Sequence, residues 1–165
     1  MGASYGGFAV LSALSRTPGR YRCGIDIVGV SDPSLVFSIS WSDAAGSEWL
    51  KHRARDMIGD PERDAELFAR VSPLKNAKSI RAPVLMAYGE DDRRVPLPHG
   101  TKMRDALLDK GRTGRQRQRR LRDVGRRTRF DPRRKGFEFG TAGGWPDQHA
   151  VAARALGFLD HQLRQ

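Results

Sequence analysis

Gly2-Ala3-Ser4-Tyr5-Gly6 constrains this chain more than any other stretch of it. The five residues fit G-x-S-x-G, a sharp strand-to-helix turn that presents a serine hydroxyl as a nucleophile. A serine hydroxyl attacks poorly on its own. It needs a base beside it and donors for the oxyanion that develops. Glycines at positions 2 and 6 allow close backbone packing around Ser4, because neither carries a Cβ. The backbone N–H of Tyr5 is then one oxyanion donor. Such a turn follows a strand, and here only Met1 stands in front of it. The expectation is therefore the second half of a domain.

A chain of 165 residues is one domain at most and is long enough to bury a core. No signal peptide and no apolar run of membrane-spanning length is visible, which favours the cytoplasm and no membrane partner for the chain as it stands. The single Cys23 excludes an internal disulfide and reads as a small core residue. No His/Cys/carboxylate cluster points to a metal, and no phosphate-cradling loop to a cofactor.

The net charge of +11 is concentrated in one place. Residues 112–135 hold eleven arginines and Lys135 against Asp123 and Asp131, so the remainder is nearly neutral. Like charges at that density repel and do not pack. Composition changes abruptly at Gly111, and helical text returns near Asp147. A shifted reading frame would produce this pattern. A genuine basic insert for nucleic acid or an acidic partner, and a plain solvated loop, are the alternatives. The block has no aromatic residue before Phe130, which speaks against nucleic acid, because stacking usually accompanies single-strand binding.

Periodicity predicts a helix from Ser4 to about Arg16, with Phe8, Leu11 and Leu14 on one face. A buried strand is expected over Cys23–Val30, bounded by Ser31-Asp32-Pro33. Residues 34–60 are less regular, with a helix near Glu48–Met57. Asp60-Pro61-Glu62 starts a helix that runs to Val71, and Ser72-Pro73 stops it. Val84–Gly89 is a second strand, and Leu97–Lys110 a helix. Asp147 caps a last helix to Leu163, with Val151, Ala155, Phe158 and Leu159 on one face. Strands alternating with helices imply a parallel sheet with helices on its faces.

Just past the second strand lies Gly89-Glu90-Asp91-Asp92-Arg93-Arg94-Val95-Pro96. Open α/β sheets place functional loops at the carboxyl ends of their strands. An acid there can orient a catalytic histidine, and the order serine then acid matches the order Ser…Asp/Glu…His. Of the remaining histidines, His52 and His99 read as surface residues, and His161 as a cation at a helix C-terminus.

Gly2-Ala3-Ser4-Tyr5-Gly6-Gly7-Phe8-Ala9-Val10-Leu11 and Cys23-Gly24-Ile25-Asp26-Ile27-Val28-Gly29 together resemble the catalytic domain of the prolyl oligopeptidase family of serine peptidases. Its acylaminoacyl-peptidase and dipeptidyl-peptidase-like members are the most similar. Gly59-Asp60-Pro61, Ser72-Pro73-Leu74, Ile80-Arg81-Ala82-Pro83 and the loop over residues 89–96 agree in order and spacing, to about residue 111. The resemblance implies the C-terminal half of an α/β-hydrolase fold, a parallel sheet flanked by helices with the N-terminal strands missing. It implies Ser4 as nucleophile, Asp92 rather than Asp91 as triad acid, Arg94 near the scissile bond, a peptide substrate and no cofactor. The family then has a strand and a Gly-His-Gly-type loop carrying the triad histidine. Here the Arg-rich block stands in that place, and Lys135-Gly136-Phe137 has lysine where relatives have histidine. His149 lies 57 residues beyond Asp92 and is the remaining candidate base. Two functions follow from this. One is a serine peptidase cleaving peptide or acyl-peptide bonds, as a truncated or impaired fragment. The other is an inactive remnant or a basic binding module.

Overall fold

The computed structural model describes residues 1–40, 42, 47–89, 91–109, 137–139 and 148–164. The Arg-rich segment 112–135, Gly136 and Asp147 lie outside the described residues. The elements in chain order are β1 (Gly2–Ala3), α1 (Tyr5–Arg16), β2 (Gly24–Ile27), α2 (Pro33–Ser38), α3 (Glu48–Ile58) and α4 (Ala65–Val71). A 3-10 turn (Ala77–Ser79), β3 (Val84–Tyr88), α5 (Pro98–Leu108), β4 (Phe137–Phe139) and α6 (Gln148–Leu163) complete the described order.

The strands form a parallel sheet in the order β1-β2-β3-β4. Gly2 lies opposite Asp26, Ile25 opposite Leu85, and Ala87 opposite Glu138. Parallel strands buried on both sides need an apolar cover on each face. Alternation along β3 supplies it. Val84, Met86 and Tyr88 point into a core with Leu11 and Leu14 of α1 and Met103 of α5. Leu85 points the other way and packs with Ile25 of β2 and with Ala155 and Phe158 of α6. Helices α1 and α5 thus cover one face and α6 the other. No helix among the described residues is long and apolar enough to cross a membrane.

Several elements depart from the sequence expectation. Strand β2 stops at Ile27 rather than Val30, because Val28 takes a positive φ of 46° while its N–H still donates to Ala87 O at 2.8 Å. The chain leaves the sheet there. Helix α2 was not foreseen. Asp32 caps it by accepting from the Ser34 N–H at 2.9 Å, with Pro33 in the first turn. Pro61 does not start a helix. The carboxylate of Asp60 accepts from the N–H groups of Glu62 and Arg63, which closes a turn, and α4 begins only at Ala65. His99 is 1% exposed rather than on the surface, because α5 turns its first residues onto Ser31. Strand β4 follows the basic block and pairs with the end of β3.

Candidate active site

Three loops leave the carboxyl ends of β1, β2 and β3 side by side, the edge where parallel sheets carry ligands. The first begins at Ser4. Its backbone has φ 54° and ψ −119°, a region L-residues rarely enter. A non-glycine residue held there stores on the order of 1–3 kcal/mol of strain. The sheet and the helix hold it from both sides. The Ser4 N–H donates to Ile27 O at 2.9 Å, and the Ser4 carbonyl accepts the Phe8 N–H at 3.1 Å. The Ser4 side chain is exposed. Tyr5 is the first residue of α1, and its N–H is one of the four that an α-helix leaves without an internal partner.

The tight packing falls on Gly2 rather than equally on both glycines. A Cβ on Gly2 would overlap the Gly6 carbonyl, whereas a Cβ on Gly6 meets no described atom within 4 Å. Gly7 is the second glycine the turn requires. A Cβ there would overlap Asp26 Oδ1 and reach Gly29 Cα at 2.7 Å.

The third loop carries Asp92, which is 6% exposed. Its Oδ1 accepts from the Arg94 N–H at 2.9 Å and the Val95 N–H at 3.0 Å. The carboxylate therefore fixes its own loop. Asp91 and Arg94 are exposed beside it. Strand β2 lies between the strands that lead to Ser4 and Asp92. His149 lies in the first turn of α6, the segment that follows β4. His52 is exposed on α3, and His161 falls in the last turn of α6.

Sequence reasoning missed a set of buried polar residues behind this edge. Asp26 is fully buried, and its Oδ2 lies 2.7 Å from the Tyr88 hydroxyl. The same hydroxyl donates to Gly29 O at 2.7 Å. Burial pushes the Asp26 carboxyl up to about 7, although the Tyr88 and Gly29 hydrogen bonds oppose the shift. Burial, with Asp26 beside it, drives the Tyr88 phenol well above its usual range. Further along, His99 Nδ1 accepts the Ser31 N–H at 3.2 Å, and Ser31 Oγ donates to His99 O at 2.8 Å. Burial lowers His99 to about 4, against the pull of Asp32 and with the help of Lys102. The signal for Asp26 was an aspartate inside a buried β-branched run, which must be paired or neutral. His99 carried no comparable signal.

The described cavity lined by Arg63, Asp64, Glu66, Leu67 and Arg70 includes none of these residues. Among the described residues, no three His, Cys, Asp or Glu side chains converge as a metal site would require.

A parallel sheet covered on both faces, with a serine at positive φ on a strand-to-helix turn, defines an α/β-hydrolase. Solved structures agree on the fold. An acylaminoacyl peptidase of Pyrococcus horikoshii superimposes with a TM-score of 0.62 at 22% identity, over 96% of this chain and 22% of that one. A puromycin-hydrolyzing peptidase of Mycobacterium tuberculosis gives 0.64 at 18% identity, over 97% of this chain and 20% of that one. The sequence profile of the prolyl oligopeptidase family matches residues 1–121, and the chain belongs to that family of serine peptidases. Dipeptidyl aminopeptidase BIII of Pseudoxanthomonas mexicana is 40% identical over 100 residues, which is 58% of this chain and 14% of the relative. Acylamino-acid-releasing enzyme 2 of Oryza sativa subsp. japonica is 29% identical over 121 residues, or 67% of this chain and 15% of the relative. The chain thus spans a small part of the length of the relatives it matches.

Proposed function

We propose that this chain carries the nucleophile and the acid of a serine peptidase that cleaves peptide or acyl-peptide bonds through an acyl-enzyme on Ser4. The backbone of Ser4 carries the proposal, because strain of this kind is kept where a side chain must be presented at a fixed angle. In the reaction, Ser4 Oγ attacks the scissile carbonyl while His149 takes its proton. Asp92 orients the imidazole and balances its charge, and the Tyr5 N–H donates to the oxyanion. The tetrahedral intermediate collapses. The C–N bond breaks, and the imidazolium returns the proton to the departing amine. Water then attacks the ester by the same route and frees Ser4. Arg94, exposed on the acid loop, takes the substrate carbonyl beside the scissile bond.

One observation favours a second reading, an inactive remnant or a basic binding module. His149 lies in the first turn of α6, whereas the resemblance puts the base in the loop ahead of the final helix. A fluorophosphonate probe separates the two. The peptidase reading expects covalent labelling that maps to Ser4, is lost in Ser4→Ala, and falls in His149→Ala and Asp92→Asn. A soluble, folded chain that takes no label overturns it.

A further inference from the structure

The turn that carries Ser4 rests on a buried carboxyl that the reaction above does not use. Asp26 lies opposite Gly2 in the sheet and is 0% exposed. Its Oδ2 is 2.7 Å from Tyr88 Oη, and Oη is 2.7 Å from the Gly29 carbonyl oxygen. Both separations are those of formed O–H···O hydrogen bonds. A phenol has one proton, and a carbonyl can only accept. One phenol proton serves one of these two contacts, so the other needs a second proton. Oδ2 is the atom able to carry it.

The other oxygen points the same way. Oδ1 lacks a hydrogen-bond partner of good geometry among the described residues, and the Gly29 backbone offers the carboxyl only a weaker one. Oδ1 is wedged against the backbone of α1 and of the turn after β2, where a Cβ on either Gly7 or Gly29 would overlap it. An ionised carboxylate here would keep one oxygen without a well-formed hydrogen bond in a fully buried position, at high cost. A neutral acid gives Oδ2–H to Tyr88, whose own proton goes to Gly29, and leaves Oδ1 as an uncharged carbonyl between two glycines. Burial acts in the same direction, moving the carboxyl up to about 7.

We infer that Asp26 is held as a neutral carboxylic acid and is the positioning residue that fixes the first turns of α1, and with them Ser4, against the turn after β2. Its bearing on Ser4 rests on the peptidase reading; its protonation does not. Among the described residues, Tyr88 on β3 is the titratable group that meets Asp26. Helix α1 offers it Gly7, and the turn after β2 offers it Gly29, neither of which ionises.

Infrared difference spectra of the full chain, wild type minus Asp26→Asn, test the protonation. A carbonyl band of a protonated carboxyl is expected below pH 7, fading as pH rises through about 7. Hydrogen exchange at the Phe8 amide, which bonds to Ser4 O, tests the positioning. The carboxamide of Asp26→Asn donates to Tyr88 as the acid does. That variant should keep Phe8 protection and a fluorophosphonate labelling rate within about threefold of wild type, without the wild-type decline above pH 7. Asp26→Ala removes both the donor and the wedge and should lower Phe8 protection by on the order of tenfold or more. Should Asp26→Ala fail to fold, the infrared band and Asp26→Asn decide alone. Absence of the band below pH 7, or an Asp26→Asn chain that loses Phe8 protection at every pH, overturns the inference. A wild type that takes no label sinks the Ser4 assignment separately, and the band and the Phe8 exchange still decide the state of Asp26.

Discussion

Asp26 and His99 should pull the stability of the chain in opposite directions as pH changes, and so hide one another. Asp26 is raised from 3.8 to about 7 in the folded state. The folded form therefore holds a proton that the unfolded form has lost. The associated stability is full below pH 3.8 and is lost as pH rises through about 7. His99 is lowered from 6.5 to about 4. Here the unfolded form holds the extra proton, so stability is full above pH 6.5 and is lost as pH falls through about 4. At ~1.4 kcal/mol per unit, Asp26 accounts for about 4 kcal/mol and His99 for about 3 kcal/mol across nearly the same window. Their sum in the wild type is close to flat, with a net change of ~1 kcal/mol. Asp26→Asn leaves His99 alone, so its unfolding free energy should climb by about 3 kcal/mol from pH 4 to 6.5. His99→Asn, whose side-chain oxygen can still accept the Ser31 N–H, leaves Asp26 alone and should fall by about 4 kcal/mol from pH 4 to 7. Urea unfolding followed by circular dichroism at matched ionic strength measures each slope. Three parallel pH profiles would refute the reasoning, because they would mean that neither group changes its proton affinity on folding.

Two further predictions concern the turn itself. Gly2→Ala places a methyl group on the Gly6 carbonyl and should cost ~1–3 kcal/mol and slow fluorophosphonate labelling. Gly6→Ala, on a helical residue with open space, should be neutral or stabilising by up to ~1 kcal/mol, and equal losses for the two variants would contradict the geometry. Ser4→Gly relieves the positive φ that Ser4→Ala retains, so it should be the more stable of these two unlabelled variants by ~1 kcal/mol in denaturant melts. The reverse order would show that the Ser4 backbone is unstrained.

The parts of the molecule legible in the sequence are those whose signal is local. The glycine spacing around Ser4, the β-branched run before Val28 and the strand ahead of Asp92 each carry their own pattern, and α1, β3 and α5 follow the expected spans closely. What was not legible depends on residues far apart in the chain. The Tyr88 hydroxyl reaches Asp26 across 62 positions, and His99 reaches Ser31 across 68. Nothing near His99 distinguishes it from a surface histidine after a proline. Helix α2 was a different kind of miss, because its Asp32 cap and Pro33 start stood in the text but were read as the end of a strand. Strand β4 has three residues behind a run of arginines, and its pairing with Met86–Tyr88, rather than any run of its own, makes it a strand.

Gly100 sits against the ring of Tyr88 so closely that a Cβ would lie 2.6 Å from the ring carbon Cδ2. One phenol ring thus touches the helix that follows the acid loop, the carboxyl behind the serine turn and the carbonyl of Gly29. For protein engineering this defines an indivisible cassette. A foreign acid loop spliced in ahead of α5 would bring its own residue at position 100, and any side chain there would displace the ring and, through it, the turn on the far side of β2. Grafts between relatives should therefore exchange Gly7, Asp26, Gly29, Tyr88 and Gly100 together, or leave all five in place.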